Sequence, residues 1–211
     1  MNKQENNQKG GLINMAAFLA RSEVNGPGLR AVVWVQGCPR RCAGCFNQDM
    51  LEFRDNKIIT VKQLADRILA IQGLAGVSFS GGEPFAQALP LAQLAETLTQ
   101  QGLNIVIFTG YTYTELKAGN DPAWNRLLAA VDLLVAGPFM QELPTQEYLL
   151  GSANQELLFL TDRLKNHPAI GNHSETTVEV TIDTTGTVNI TGLSNKIDLP
   201  LPPAREPRTA R

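Results

Sequence analysis

Apolar positions along this chain recur at two different spacings, and stretches with one spacing alternate with stretches of the other. Leu12 to Leu19 is apolar enough for a first strand or a short helix, and Asn25-Gly26-Pro27-Gly28 then forces a turn or loop. Ala31 to Val35 is a near-continuous β-branched and aromatic run that reads as a buried strand, ending at Gly37. Thr60 is placed to cap a helix whose apolar positions Val61, Leu64, Ile68 and Leu69 keep a helical period until Gly73. Val77 to Ser80 is a short strand running into Gly81-Gly82-Glu83-Pro84. Leu89, Leu91, Leu94, Ala95 and Leu98 mark a second helix that stops near Gly102. Ile105 to Phe108 is a third strand closed by Thr109-Gly110, and a helical stretch from about Ala123 to Ala130 leads into the strand Asp132 to Val135, broken at Gly137-Pro138.

Strands separated by helices of this length predict parallel βα units with right-handed crossovers. Each strand then delivers a distinctive loop at its C-terminal end, where open α/β sheets and barrels place their chemistry. The pattern changes beyond Gly151. Glu156 to Leu160 reads as one more strand, whereas Glu175 to Asp183 and Thr187 to Thr191 alternate around Thr184-Thr185-Gly186 as an antiparallel hairpin does. Pro200, Pro202, Pro203 and Pro207 give an extended tail, and the polar stretch Met1 to Gly11 a frayed one. The expected organisation is a disordered tail over 1–11, a βα domain over 12–162, and an extension with hairpin and proline-rich tail over 163–211.

Composition sets the bounds. At 211 residues and 43% apolar the chain can fill the core of one compact domain or two very small ones. Eighteen basic against 20 acidic residues offer no bulk attraction to a phosphate backbone or an anionic bilayer, so neither a nucleic acid nor a lipid surface is expected as partner. The apolar stretches fall short of the ~20 residues a membrane helix needs. The nearest thing to an export signal, Leu12 to Ala20, contains Asn14 and follows a head in which Lys3 and Lys9 are diluted by Glu5 and amides. Three cysteines cannot all pair within one chain, and all three lie between positions 38 and 45. That clustering points to a reducing compartment, the cytoplasm, and to an inorganic ligand.

Cys38-Pro39-Arg40-Arg41-Cys42-Ala43-Gly44-Cys45 spaces its thiols by three and then two residues. A structural zinc site takes four ligands, and here there is no fourth cysteine; His167 and His173 lie more than 120 positions away in a stretch with no metal-site signature. Three thiolates on one face of a four-iron cluster would leave one iron open, which is what catalysis needs and structural closure avoids. An iron-sulfur cluster is thus the leading reading, with zinc and coincidence as the others. Arg40 and Arg41 either bring positive charge to that site or are simply solvated.

Cys-x3-Cys-x2-Cys after a strand, followed by Phe46-Asn47 and later by Gly81-Gly82-Glu83-Pro84, resembles the radical S-adenosylmethionine superfamily. Val24-Asn25-Gly26-Pro27-Gly28-x-Arg30, Gln36-Gly37-Cys38-Pro39, Thr109-Gly110-Tyr111-Thr112, Asp132-x-Leu134-Val135-x-Gly137-Pro138-Phe139 and Gly151-Ser152-x-Asn154-Gln155 resemble, within it, the activating proteins of anaerobic ribonucleoside-triphosphate reductase. The match runs over roughly positions 12 to 161.

The resemblance implies an α/β fold, a partial, open (β/α) barrel of radical S-adenosylmethionine type with a small C-terminal β-hairpin extension. It implies a [4Fe-4S] cluster held by Cys38, Cys42 and Cys45, and S-adenosylmethionine on the fourth iron, with Gly81, Gly82, Glu83, Pro84, Asn47 and Asn154 on the cofactor side. The chemistry implied is reductive cleavage to methionine and a 5'-deoxyadenosyl radical that takes a glycine Cα hydrogen from a partner, the anaerobic ribonucleotide reductase. Flavodoxin or ferredoxin would be the electron donor. Asn25, Arg30, Thr109 and Tyr111 are candidates for the substrate cleft, although Tyr111 and Tyr113 could equally be packing. Two positions depart from the family pattern: Ala136 stands where a second aspartate is expected, and Leu150 where an arginine usually precedes Gly-Ser-x-Asn-Gln. A radical enzyme acting on a small molecule or peptide, and a non-catalytic metal-binding module, are the competing readings.

Overall fold

A computed structural model describes residues 11–171, 178–182 and 188–192. The expected tails at 1–10 and beyond 192, the tip at 183–187 and His173 lie outside the described residues. The elements in chain order are β1 (Leu12–Ser22), β2 (Arg30–Val35), β3 (Lys57–Thr60), α1 (Val61–Leu69), β4 (Gly76–Gly81), α2 (Ala88–Gln100), β5 (Asn104–Thr109), α3 (Tyr113–Ala118), α4 (Pro122–Ala129), β6 (Leu133–Ala136), β7 (Glu156–Phe159), α5 (Pro168–Gly171), β8 (Val178–Ile182) and β9 (Val188–Gly192).

Seven strands form one sheet in the order β3-β1-β2-β4-β5-β6-β7, and β8 pairs with β9 in a separate antiparallel ribbon. The four central strands β2, β4, β5 and β6 are parallel. Antiparallel β1 and β3 extend one side and antiparallel β7 the other. The architecture is therefore mixed α/β with a mostly parallel centre. Val35 pairs with Gly81 and Thr109 with Ala136, so the four parallel strands end at one edge and release their following loops side by side.

Period-two patterning divides the residues between the two faces of the sheet. Val33, Val35, Phe79, Ile105, Ile107 and Leu134 look toward the helices and are fully buried or nearly so against Leu64, Ile68, Leu91, Leu94, Leu98 and Leu127. Val106, Leu133 and Val135 face the other way and pack with Leu149, Leu150 and Leu164. Packing thus continues past residue 162: Leu164 is buried, and Arg163 donates to the carbonyls of Gly102 and Leu103 and pairs with Asp132.

Thr60 caps α1 as expected, its hydroxyl accepting from the Gln63 amide while the Gln63 side chain returns the bond. Leu12 to Leu19 resolves as strand and runs on to Ser22. Three elements escaped the apolar pattern, the four-residue α5 among them. β3 is four residues at a sheet edge with Ile58 exposed, too short and too wet to show a period. α3 is six residues, but its capping box, Thr112 with Glu115, was there to be read.

Asp132 ties three segments together: its carboxylate accepts from the Ile105 amide (2.8 Å), the Thr161 hydroxyl and Arg163. Replacing it by alanine leaves the buried Ile105 amide without its acceptor and takes the ion pair from Arg163, which keeps the Gly102 and Leu103 carbonyls, and we expect a loss of about 1–3 kcal/mol, read as the shift of the urea unfolding midpoint. A midpoint within ~0.5 kcal/mol of wild type would show that the tie is dispensable.

Candidate functional site

β2 hands the chain to the cysteine loop through Gly37, which sits at φ +95° and whose missing side chain leaves room for the ring of Phe53. The Gly37 and Cys38 amides donate to the carbonyls of Met50 and Leu51 (2.8 and 3.0 Å), so the loop closes on itself at its base. Inside it, Arg41 and Gly44 adopt left-handed backbone, and the Cys45 amide reaches the Cys42 carbonyl. The result is a compact loop whose three free thiols all line one cavity of about 140 Å³. Cys38 is buried and the other two half-buried. Burial pushes the Cys38 and Cys45 thiols up from their ordinary range; at Cys38 the amides of Arg41 and Arg40 act in the opposite sense. Among the described residues no three His, Cys, Asp or Glu side chains converge as they would on a single metal ion. Three soft donors spread around one cavity instead suit a cluster in which each thiolate binds a different iron.

Gly81-Gly82-Glu83-Pro84 forms the facing wall. The Gly82 amide donates to the Val35 carbonyl (2.7 Å) and the Glu83 amide to the Gly37 carbonyl (2.9 Å), which presses the end of β4 against the end of β2. The Glu83 carboxylate is fully buried and accepts from the Phe85 amide (2.9 Å), the Thr109 hydroxyl (2.8 Å) and the Gly110 amide (2.8 Å). It thereby caps the turn that begins at Pro84 and ties the end of β5 to the end of β4. Desolvation pushes this carboxyl up to about 7, against the pull of those hydrogen bonds and of Arg40.

The remaining residues singled out in the sequence divide sharply. Asn47 donates to the Gly81 carbonyl (3.2 Å) and lines the cavity. Thr109 lines it too. Asn154 braces it from behind, donating to the Pro138 carbonyl (2.8 Å), while Gln155 beside it lines the cavity and holds the Gly137 carbonyl. Tyr111 is packing: its ring lies 4.8 Å from that of Trp124 and beneath the Arg40 guanidinium at 5.0 Å. Arg40 enters the cavity and pairs with Glu115 (2.9 Å), whereas Arg41 is exposed and pairs with Glu52. Ala136 is buried in the apolar cluster on the helix side and Leu150 in the cluster on the other side. Neither departure from the family pattern lines the cysteine cavity.

Arg30 requires a correction. It opens β2, paired with Gly76 at the start of β4, and so lies at the sheet edge opposite the cysteines. It is fully buried, and its guanidinium donates to the Ser78 hydroxyl (2.8 Å), the Asn104 side-chain carbonyl (2.7 Å) and the carbonyls of Val77 and Pro27. Burial lowers its pKa to about 10. Arg30 is a staple for the 25–30 turn and the starts of three strands. Asn25 lines a second, larger cavity that adjoins the cysteine cavity. Sequence reasoning did not single out as site residues Gln155, Gly110 and the tilted pair Phe46 and Phe139, which line the cavity with ring centroids 4.7 Å apart. Gln155 stood in the quoted Gly151-to-Gln155 motif, next to Asn154.

A family model described as "4Fe-4S single cluster domain" matches residues 24–158. The anaerobic ribonucleoside-triphosphate reductase-activating protein of enterobacteria phage T4 is 30% identical over 151 residues, which is 68% of this chain and 92% of that protein. The protein of the same name from Vibrio cholerae serotype O1 is 37% identical over 144 residues, 63% of this chain and 88% of that one. The pyruvate formate-lyase-activating enzyme of Clostridium pasteurianum is 36% identical over 96 residues, 43% of this chain and 40% of that enzyme.

Two expectations follow from the charges buried at opposite edges. Arg30→Met removes four bonded contacts from buried acceptors and should cost about 2–4 kcal/mol in urea unfolding of the cluster-free protein. Arg30→Lys should recover little, because one ammonium cannot reproduce the fork. Glu83 binds its proton more tightly folded (about 7) than at its ordinary value of 4.5. Folding therefore takes up a proton between those values, and this group's share of stability is greatest at low pH and declines as pH rises to about 7. Relative to Glu83→Gln, the wild type should lose roughly 1–3 kcal/mol between pH 5 and pH 7.5. Parallel pH curves for the two proteins would remove Glu83 from that range.

Proposed function

The chain belongs to the radical S-adenosylmethionine activating proteins built on a 4Fe-4S single cluster domain, and from that premise we propose that its target is the reactive glycine of an anaerobic ribonucleoside-triphosphate reductase. It is an enzyme of glycyl-radical activation, with a [4Fe-4S] cluster and S-adenosylmethionine as its cofactors. When bound, these two supply a one-electron reduction that splits S-adenosylmethionine into methionine and a hydrogen-abstracting 5'-deoxyadenosyl fragment.

The observation that carries the assignment to residues is the sharing of one cavity by three thiols and the glycine-lined end of β4. Cys38, Cys42 and Cys45 would hold the cluster. Gly81 and Gly82 offer backbone with no side chain in the way of a bulky ligand. Glu83 is engaged by three hydrogen bonds within the protein, so its work is to hold the ends of β4 and β5 in register for the cofactor. Asn47 fixes the Gly81 carbonyl and Asn154 fixes the loop after β6. Arg40 brings a cation to the rim of a site of net negative charge, anchored by Glu115. Phe46, Phe139, Phe108 and Leu149 supply an apolar surround that excludes water from a reactive fragment.

The sheet ends at β3 and β7, and we read it as a partial barrel open on that side, as entry of a macromolecular loop requires. The partner is inferred from the relatives that share most of their length with this chain; the shorter match to an activator of pyruvate formate-lyase keeps the chemistry and changes the partner. The same reading makes flavodoxin or ferredoxin the electron donor and the cytoplasm the compartment, where clustered thiols stay reduced. The 12–162 segment, together with Arg163 and Leu164 that lock onto it, is the catalytic unit.

Anaerobic reconstitution with iron and sulfide, then dithionite, S-adenosylmethionine and the reductase, should give a glycyl-radical EPR signal on the reductase together with 5'-deoxyadenosine. Cys42→Ala should lose both, along with the cluster absorbance. Formation of 5'-deoxyadenosine with no radical on the reductase would transfer the enzyme to a small-molecule or peptide substrate.

A further inference from the structure

The second cavity is about 570 Å³ in volume, and it shares Phe46, Asn47, Ser80, Phe108 and Leu149 with the cysteine cavity. Phe18 of β1 and Trp34 of β2 line it from the sheet, and Val188, Ile190, Thr191 and Gly192 of β9 form another wall. β9 lies beyond residue 158, where the matched family domain ends. It is fastened to the body where the Asn25 side-chain amide donates to the Thr191 hydroxyl (2.9 Å).

The ribbon of β8 and β9 has two unlike faces. Its register sets Val180 opposite Ile190 and Ile182 opposite Val188, so four β-branched side chains share one face while Glu179 and Thr181 take the other. These four remain exposed, from 45% at Ile190 to 70% at Ile182. An isolated two-stranded ribbon is marginal in water, and an apolar face left half-covered beside a cavity is stabilised by whatever fills that cavity.

The chemistry of the lining narrows the occupant. Among the described residues, no side chain that lines the larger cavity carries a charge. A metabolite with a phosphate or carboxylate would enter without a counter-charge, which a desolvated site strongly disfavours. A neutral polypeptide segment with small apolar side chains meets no such penalty, and Ser80 offers a hydroxyl to its backbone, while Asn25, Asn47 and Thr191 line the cavity with side chains already bonded within the protein. The border shared with the cysteine cavity means that a segment lying here reaches the chemistry.

We propose that the β8–β9 ribbon is a recognition wall for the partner polypeptide, with Val188 and Ile190 packing against the residues that flank its reactive glycine and Val180 and Ile182 carrying the contact outward. The proposal rests on the glycyl-radical reading above and adds a specificity element from outside the matched domain.

The test is activation of the anaerobic reductase by the reconstituted holoenzyme, with rates from the glycyl-radical signal at varied reductase concentration. Val188→Ser with Ile190→Ser should raise KM for the reductase about tenfold, equivalent to about 1.4 kcal/mol, with kcat within twofold. Ile182→Ser, at a site too exposed to disturb folding, should raise KM two- to threefold. Ile190→Leu should restore the wild-type KM, and Thr181→Ala, on the opposite face, should leave it unmoved. A wild-type KM in both serine variants, or a loss confined to kcat, overturns the proposal. A wild-type holoenzyme that makes no radical on the reductase sinks the proposed function and this inference together; a wild type that succeeds, matched by its serine variants, sinks the inference alone.

Discussion

A methyl group on Gly81 would stand 2.5 Å from the Val35 amide nitrogen, and one on Gly82 would stand 2.3 Å from the Gly37 carbonyl oxygen. Neither contact is physically available, so the approach of the end of β4 to the end of β2 exists only because both positions lack a side chain. Everything at the cysteine edge depends on that approach. It lets the Gly82 and Glu83 amides bond back to Val35 and Gly37, which carries the Glu83 carboxylate to the end of β5 and brings three strand ends around one cavity. A side chain at either glycine would part the two strands where the cysteine loop leaves, and the thiols would lose their facing wall.

Two buried charges mark the opposite edges of the same parallel strands, and they are handled alike. Among the described residues, Arg30 at the starting edge and Glu83 at the finishing edge each lack a bonded ionic partner, and each is held by neutral groups: carbonyls, an amide and a hydroxyl around the guanidinium, amides and a hydroxyl around the carboxylate. Satisfying a buried ion with dipoles fixes geometry on several segments at once, whereas an ion pair would fix only two. The shifts in both groups, down for the arginine and up for the glutamate, carry the desolvation that remains. Strand starts and strand ends are thus pinned by groups that lie outside the described lining of the larger cavity.

Much of this was legible in the chain. Ala31–Val35, the capped helix after Thr60 and the strand-then-glycine endings at Gly37, Gly81 and Gly110 announce themselves through period and turn chemistry, because burial on one or both faces leaves a strong pattern. The cysteine spacing announced a cluster because three soft ligands without a fourth have few other uses. Arg30 was misplaced for a physical reason: a motif records which residues occur together, and the motif containing Arg30 spans a turn and the first residue of a six-residue strand whose other end carries the chemistry. Tyr111 was ambiguous because the aromatic edge that packs on Trp124 has the same composition as one that lines a cleft. β3 left no mark, since an edge strand of four residues owes its conformation to its partner β1 more than to its own side chains.

The two departures from the family pattern look different once their side chains are located. Ala136 ends β6 within the helix-side cluster, and an aspartate there would need its own buried partners. Leu150 fills the opposite cluster with Leu149, Val135 and Leu164. In both cases the apolar residue is accommodated by packing around it, and the loss of charge falls outside the cavity that holds the thiols. The departures therefore leave the cofactor edge intact and alter the support beneath it. Leu164, from beyond the matched domain, belongs to that support, and β9, farther along, forms a wall of the larger cavity. Residues that follow the shared core thus serve twice, first as replacement packing and then as a surface, and a change of partner preference can arise there without disturbing the ends of the four parallel strands.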